Sequence, residues 1–307
     1  MTWKGKLGLF CLAAAAGLSS LIRPDIPVDK LKIEYATGDK VVDVDGLTVY
    51  YRDEGKGEPL VLLHGAASSL QAWDGWADVL SSNHRVIRLD LPGYGLTGPN
   101  RMKDYSMVWY VSFLDAFLDK VGVEKCALAG NSFGGHIGLE YAAARPSRVE
   151  KLVLVDASGY PPKKSSILAQ RLSRIPVLHH YFRYATPRFF LAMNVRPAYG
   201  DPAKLTESRL DAYYDLIRRT GNRETFGLIS ATPFEDSTLK IRSLRMPTLI
   251  LWGEKDVTIP PENAERFHKD IPGSRVVLYP GVGHLPMEEA PTQSARDVEA
   301  FLTSSEK

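Results

Sequence analysis

The sequence predicts an α/β class: a mostly parallel, doubly wound sheet opened by an antiparallel hairpin and interrupted by a helical cap after the sixth sheet strand. Three observations predict it. Short, wholly apolar runs recur along the chain, helix-length segments separate them, and one interval between runs is too long for a loop. The 307 residues, 44% hydrophobic and 24% charged, accommodate one large domain with an insertion. They exclude a wholly disordered chain and a polytopic membrane protein.

Residues 1–23 read as a signal anchor or signal peptide. Lys4 and Lys6 precede an uncharged run from Leu7 to Ile22, which Arg23-Pro24 ends. The run is longer than an ordinary signal core and shorter than a comfortable span of about 20 residues. Ala14-Ala15-Ala16 offers a cleavage pattern but leaves only a short apolar segment before it. The favoured expectation is therefore an uncleaved anchor with the body of the chain exported, or a secreted or periplasmic protein if the segment is cut. Leu9-Phe10 lack the small residue that a lipoprotein signal places before its cysteine, so Cys11 is not expected to carry lipid. Cys126 lies in a strand-like run far from Cys11, and no disulfide is expected. With two cysteines in all, a disulfide scaffold and a cysteine-rich metal site are excluded.

Residues 24–40 read as a polar, proline-containing linker. The first part of the core, 41–157, opens on VVDV (41–44) and LTVYY (47–51) around Asp45-Gly46, a hairpin signal. The runs LVLL (60–63), VIRL (86–89), CALA (126–129), LVLV (152–155), TLILW (248–252) and RVVLY (275–279) read as strands buried on both faces. Helices are expected over 70–80, 106–121, 133–144, 262–270 and 292–303. In the second of these, Val108, Val111, Phe113, Leu114, Phe117, Leu118 and Val121 supply an apolar face. Residues 158–244 form the expected cap, and 245–307 complete the core.

The sharpest motif is Gly130-Asn131-Ser132-Phe133-Gly134, set between the strand CALA and a helix. A sharp strand-to-helix turn lifts the Ser132 hydroxyl above the sheet and crowds the positions two residues to either side, where glycines stand. The new helix aims its first N–H groups at the same spot. A serine hydroxyl needs a base, itself oriented by an acid. His284, in Pro280-Gly281-Val282-Gly283-His284-Leu285-Pro286, follows the last apolar strand and is the expected base. Asp256, in Trp252-Gly253-Glu254-Lys255-Asp256, is the expected acid, with Glu254 and Asp156 as rivals. The amides of Phe133 and Ala66 are the candidate oxyanion hole. His64 is expected to hold its own loop by a hydrogen bond, and His136 to sit in the core. The glycines of Asp90-Leu91-Pro92-Gly93-Tyr94-Gly95 are expected to shape a pocket rim, and the G-x-G-x-x-G pattern is absent from these strand ends.

The order Ser132, Asp256, His284, the His64-Gly65 turn, the D-x-P-G-x-G loop and the inserted cap together resemble the α/β-hydrolase superfamily over roughly residues 40 to 305. The serine nucleophile resembles esterases and lipases; epoxide hydrolases and haloalkane dehalogenases place aspartate there. With its amino-terminal segment the chain is also similar to the membrane-anchored monoacylglycerol-lipase-like branch. The resemblance implies a carboxylic ester hydrolase working through an acyl-enzyme, with no metal or cofactor required. GNSFGGH also resembles the meta-cleavage-product hydrolases that cut carbon–carbon bonds, but their HGSGPG-type turn is replaced here by His64-Gly65-Ala66-Ala67-Ser68. An alternative from another class is a non-catalytic binding module of the same fold.

Net charge is +2, which gives no support to a nucleic-acid partner. It combines a +7 segment with a remainder of −5. Between 163 and 196 stand Lys163, Lys164, Arg171, Arg174, Arg183, Arg188 and Arg196 without an acidic residue, interleaved with Tyr181, Phe182, Tyr184, Phe189 and Phe190. Beside a membrane anchor, this pattern is expected to rest on anionic headgroups and admit acyl chains to Ser132; otherwise the arginines pair with acids elsewhere. The partners expected are thus an ester, small or lipid, and a membrane surface. No obligate protein partner is indicated.

Overall fold

A computed structural model describes residues 22–162, 184 and 186–304. Residues 1–21 of the expected anchor, and Lys163, Lys164, Arg171, Arg174, Tyr181, Phe182 and Arg183 of the basic segment, lie outside the described residues. Among the described residues no helix is long and apolar enough to cross a membrane.

All eight expected strands are present: β1 (Lys40–Val44), β2 (Leu47–Glu54), β3 (Pro59–Leu63), β4 (Arg85–Leu89), β5 (Cys126–Asn131), β6 (Val149–Val155), β7 (Thr248–Gly253) and β8 (Arg275–Tyr279). They form one sheet in the order β1-β2-β4-β3-β5-β6-β7-β8. The β1–β2 and β2–β4 pairs are antiparallel and the rest parallel. Asp45 and Gly46 both take positive φ, 51° and 80°, as a tight hairpin turn requires. β2 runs past its apolar stretch because Asp53 and Glu54 meet charged partners on β4: Arg85 Nε lies 2.9 Å from Asp53 and Arg88 Nε 2.8 Å from Glu54.

Alternation along the strands divides two cores. Val61, Leu63, Leu128, Leu152 and Leu154 face helices α3 (Met107–Lys120) and α4 (Phe133–Ala144). Leu60, Leu62, Ala129, Val153 and Val155 face α2 (Asp74–Leu80) and the carboxyl-terminal α11 (Pro291–Thr303). Cys126 is a free, buried thiol in the first core. On α3 the buried face includes Tyr110, whose hydroxyl donates to Pro92 O at 2.8 Å, whereas Val108, expected inside, is 70% exposed.

The expected linker 24–40 is not unstructured. It holds helix α1 (Val28–Tyr35), whose Leu31 is buried with Tyr50, Leu96 and Leu216. Before it, Ile26 pairs in parallel with Arg219 of the cap. Between β6 and β7 the described cap residues form α5 (Arg188–Val195), α6 (Glu207–Ile217), α7 (Asn222–Ala231) and α8 (Thr238–Ser243); α9 (Glu262–Asp270) and α10 (Pro286–Glu289) belong to the second part of the core. Of the seven basic residues, the two that are described are both paired within the cap: Arg188 lies 2.6 Å from both Glu207 and Asp211, and Arg196 3.7 Å from Glu207.

Candidate active site

The carboxyl ends of β3, β5, β6, β7 and β8 open on one edge of the sheet, and each delivers one part of the site. Ser132 stands between β5 and α4 with φ 53° and ψ −113°, a backbone conformation unfavourable for any residue with a Cβ. The surrounding glycines make that turn possible. A Cβ on Gly134 would overlap the carbonyls of Leu63 and His64, and one on Gly130 would overlap the backbone of Gly134 and Gly135. Gly138, one turn further along α4, is different: its Cβ would come no closer than 3.7 Å to Leu128. Gly134→Ala is therefore expected to destabilise by about 3 kcal/mol or more. Gly138→Ala should be neutral or stabilising by up to about 1 kcal/mol, alanine being the better helix former. Urea midpoints at unchanged m-value check both, and equal midpoints for the two variants would contradict the packing described.

The loop after β3 comes up beside the serine. A Cβ on Gly65 would lie 2.7 Å from Asn131 Oδ1 and 3.3 Å from Ser132 Cβ. Ala66 and Ala67 form a turn in which Ala67 takes φ 57°. His64 holds this loop as expected. Its Nδ1–H donates to Gly65 O at 2.7 Å, and its Nε2 accepts from Leu91 N at 2.9 Å, which fixes one neutral tautomer. Burial pushes its imidazole down to about 4, so it is not poised as a base. His136 is likewise interior, 2.8 Å from Ser237 Oγ. The Phe133 amide is the first of α4, one of those a helix leaves without an internal acceptor.

His284 and Asp256 meet. The Nδ1–H of His284 donates to Asp256 Oδ2 at 2.7 Å, with both side chains buried. Asp256 Oδ1 accepts from Thr258 N at 2.7 Å and Ile259 N at 3.0 Å, so its carboxylate is held by two amides of its own loop and by its partner histidine. Glu254 points into solvent. Asp156 is fully buried, and its carboxyl lies with the Asp256 carboxyl and the His284 imidazole in a cluster in which one oxygen or nitrogen of each residue is within 4.8 Å of the others. A histidine held at Nδ1 by a carboxylate presents Nε2 as a base.

Two residues that the sequence did not single out position this group. The Asn131 amide donates from Nδ2 to His284 O at 3.1 Å and to Val155 O at 3.2 Å, tying the loop after β8 to the residue before Ser132. Glu289 is buried on α10 and accepts from Gly283 N at 2.7 Å, Gly200 N at 3.0 Å and Asp201 N at 3.1 Å. The His284 amide itself donates to Ala198 O at 2.6 Å, so the cap rests directly on the histidine loop. Asn131 stands inside the motif; Glu289 carries no signal in the sequence, because its partners are backbone amides, two of them brought in from the cap.

This architecture and its strand-end cluster define an α/β hydrolase. The sequence profile of the alpha/beta hydrolase fold matches residues 58–291, and the chain belongs to that family. It is 28% identical over 300 residues to Lipase 3 of a Moraxella species, covering 93% of this chain and 87% of that protein. It is 30% identical over 277 residues to the 2-hydroxy-6-oxo-2,4-heptadienoate hydrolase of Pseudomonas putida, covering 87% and 97%. Among solved structures it is similar to a membrane phospholipase A described as a bacterial virulence factor, with a TM-score of 0.75, 26% identity and 98% of each chain covered.

Proposed function

We propose that this hydrolase cleaves carboxylic esters of lipids at a membrane surface, through Ser132, His284 and Asp256. The observation that carries the reading is the His284–Asp256 hydrogen bond, on a loop that Asn131 ties to the residue before Ser132. His284 Nε2 takes the proton of Ser132 Oγ, which attacks the ester carbonyl, and the amides of Ala66 and Phe133 receive the oxyanion. His284 returns the proton to the departing alcohol. Water then repeats the sequence on the acyl-enzyme.

Similarity to a lipase and to a membrane phospholipase A supports the lipid part of the reading. So does the way the amino-terminal segment docks. The Arg23 amide donates to Tyr184 O at 2.7 Å, and Arg223 Nη2 donates to Arg23 O at 2.7 Å, which seats the residues following the apolar run of 7–22 against the cap. On the same cap, Phe189 and Met193 stand 60% and 66% exposed on one face of α5. An anchor that held this cap at a membrane would bring such a face towards acyl chains.

A panel of aryl esters of graded acyl length tests the substrate class, run beside a vinylogous ring-cleavage diketone and a long-chain monoester carried in anionic vesicles. Turnover of the long-chain ester is expected to exceed that of acetate by about tenfold or more, and vesicle hydrolysis to fall as salt rises. A preference for the diketone would transfer the reading to carbon–carbon hydrolysis, which similarity to the Pseudomonas enzyme keeps as the second reading. Salt-independent vesicle turnover would remove the electrostatic membrane contact.

A further inference from the structure

We infer that Asp156 carries a proton and donates it to Asp256, so that the acid orienting His284 is a pair of carboxyl groups sharing one negative charge. The inference rests on the reading of Asp256 as the acid of the triad. Asp156 is the first residue beyond β6 and takes φ 43°, a left-handed conformation that few residues other than Gly, Asn and Asp adopt readily. Its amide donates to Leu251 O at 3.0 Å, and its Oδ1 accepts from Gly253 N at 3.0 Å, so the side chain is held between β6 and β7. Its Oδ2 is buried and has no donor. The Asp256 carboxyl is the neighbour: one oxygen of each carboxyl lies within 4.8 Å of the other, and the two side chains are in hydrogen-bonding range.

Two acceptor oxygens turned towards each other in a dry interior repel unless a proton lies between them. The surroundings say which residue holds it. Asp256 accepts from two amides and from His284, and those donors stabilise its ionised form. Glu289, also near, accepts from three amides. The remaining titratable neighbour is the Tyr279 hydroxyl, which donates to Asp297 at 2.8 Å. Asp156, with one amide donor and no access to water, is the member of the group with least support for a charge. Burial, with the Asp256 charge beside it, accordingly raises its carboxyl well above the ordinary value near 3.8. A proton donated to Asp256 then fixes the carboxylate that fixes the imidazole, making Asp156 a positioning residue.

Asp156→Asn replaces the protonated acid by an amide of the same shape that also tolerates the left-handed backbone; Asp156→Ala removes the donor. With a short-chain aryl ester, the asparagine variant is expected to keep kcat/KM within about threefold, while the alanine variant loses about tenfold or more in kcat with KM little changed. Stability supplies a readout that needs no substrate. A carboxyl with a raised folded-state pKa contributes stability that is full below its unfolded value and is lost as pH rises through the folded value. Asparagine has no such loss, so Tm of Asp156→Asn minus Tm of the native chain should grow from pH 5 to pH 9. Infrared spectra should show a protonated-carboxyl band in the native chain that Asp156→Asn removes. An asparagine variant as inactive as the alanine one, a Tm difference flat with pH, or the missing band would each overturn the assignment. The last two readouts stand even if the ester reading fails.

Discussion

Ser132→Ala is expected to reduce kcat by a factor on the order of 10⁶, as loss of the nucleophile does in serine proteases, with the fold intact. The reason is local. The strained turn that holds Ser132 depends on Gly130 and Gly134, and an alanine Cβ occupies the place the serine Cβ already has. Removing the hydroxyl should therefore leave Tm within a degree or two while abolishing labelling by a fluorophosphonate probe. The same probe decides whether the chain is catalytic: a native protein that fails to label, at a concentration where a reference esterase labels fully, would make it a binding module.

Asp256→Asn is the second largest effect expected, a fall in kcat on the order of 10⁴. The 2.7 Å bond from His284 Nδ1 ends on Asp256 Oδ2, and an amide there can present N–H to the ring and favour the tautomer that lacks a free Nε2 lone pair. The pH–rate profile separates this from collapse of the loop. A variant with the wrong tautomer keeps its KM and recovers rate as hydroxide replaces the base, whereas a collapsed loop loses both. Loss of less than tenfold would return Asp156 as the principal acid.

The strands were legible because burial on both faces leaves uninterrupted apolar runs, and LVLL, CALA and LVLV mark β3, β5 and β6 within a few residues. Strand ends held by charge were not: Asp53 and Glu54 extend β2 beside β4, where they pair with Arg85 and Arg88. Helix α1 escaped because a single residue, Leu31, is buried while Ile33 is 83% exposed, leaving no periodic face to read. The residues proposed as serine, histidine and aspartate were legible from motif, order and strand context, and the structure brings His284 and Asp256 into contact. Asn131, Glu289 and the facing of Asp156 were not, because each acts through partners distant in sequence. Their roles exist only once β6, β7 and β8 lie side by side.

The Asn131–His284 hydrogen bond joins positions 153 residues apart. The turn that holds Ser132 is therefore synthesised long before the loops that carry Asp256 and His284, with the whole cap between it and them. A chain still being made carries Ser132 without His284 and, on the proposed mechanism, should hydrolyse nothing. On the proposed reading, an enzyme directed at lipid esters would in this way stay silent until its last strand is in place.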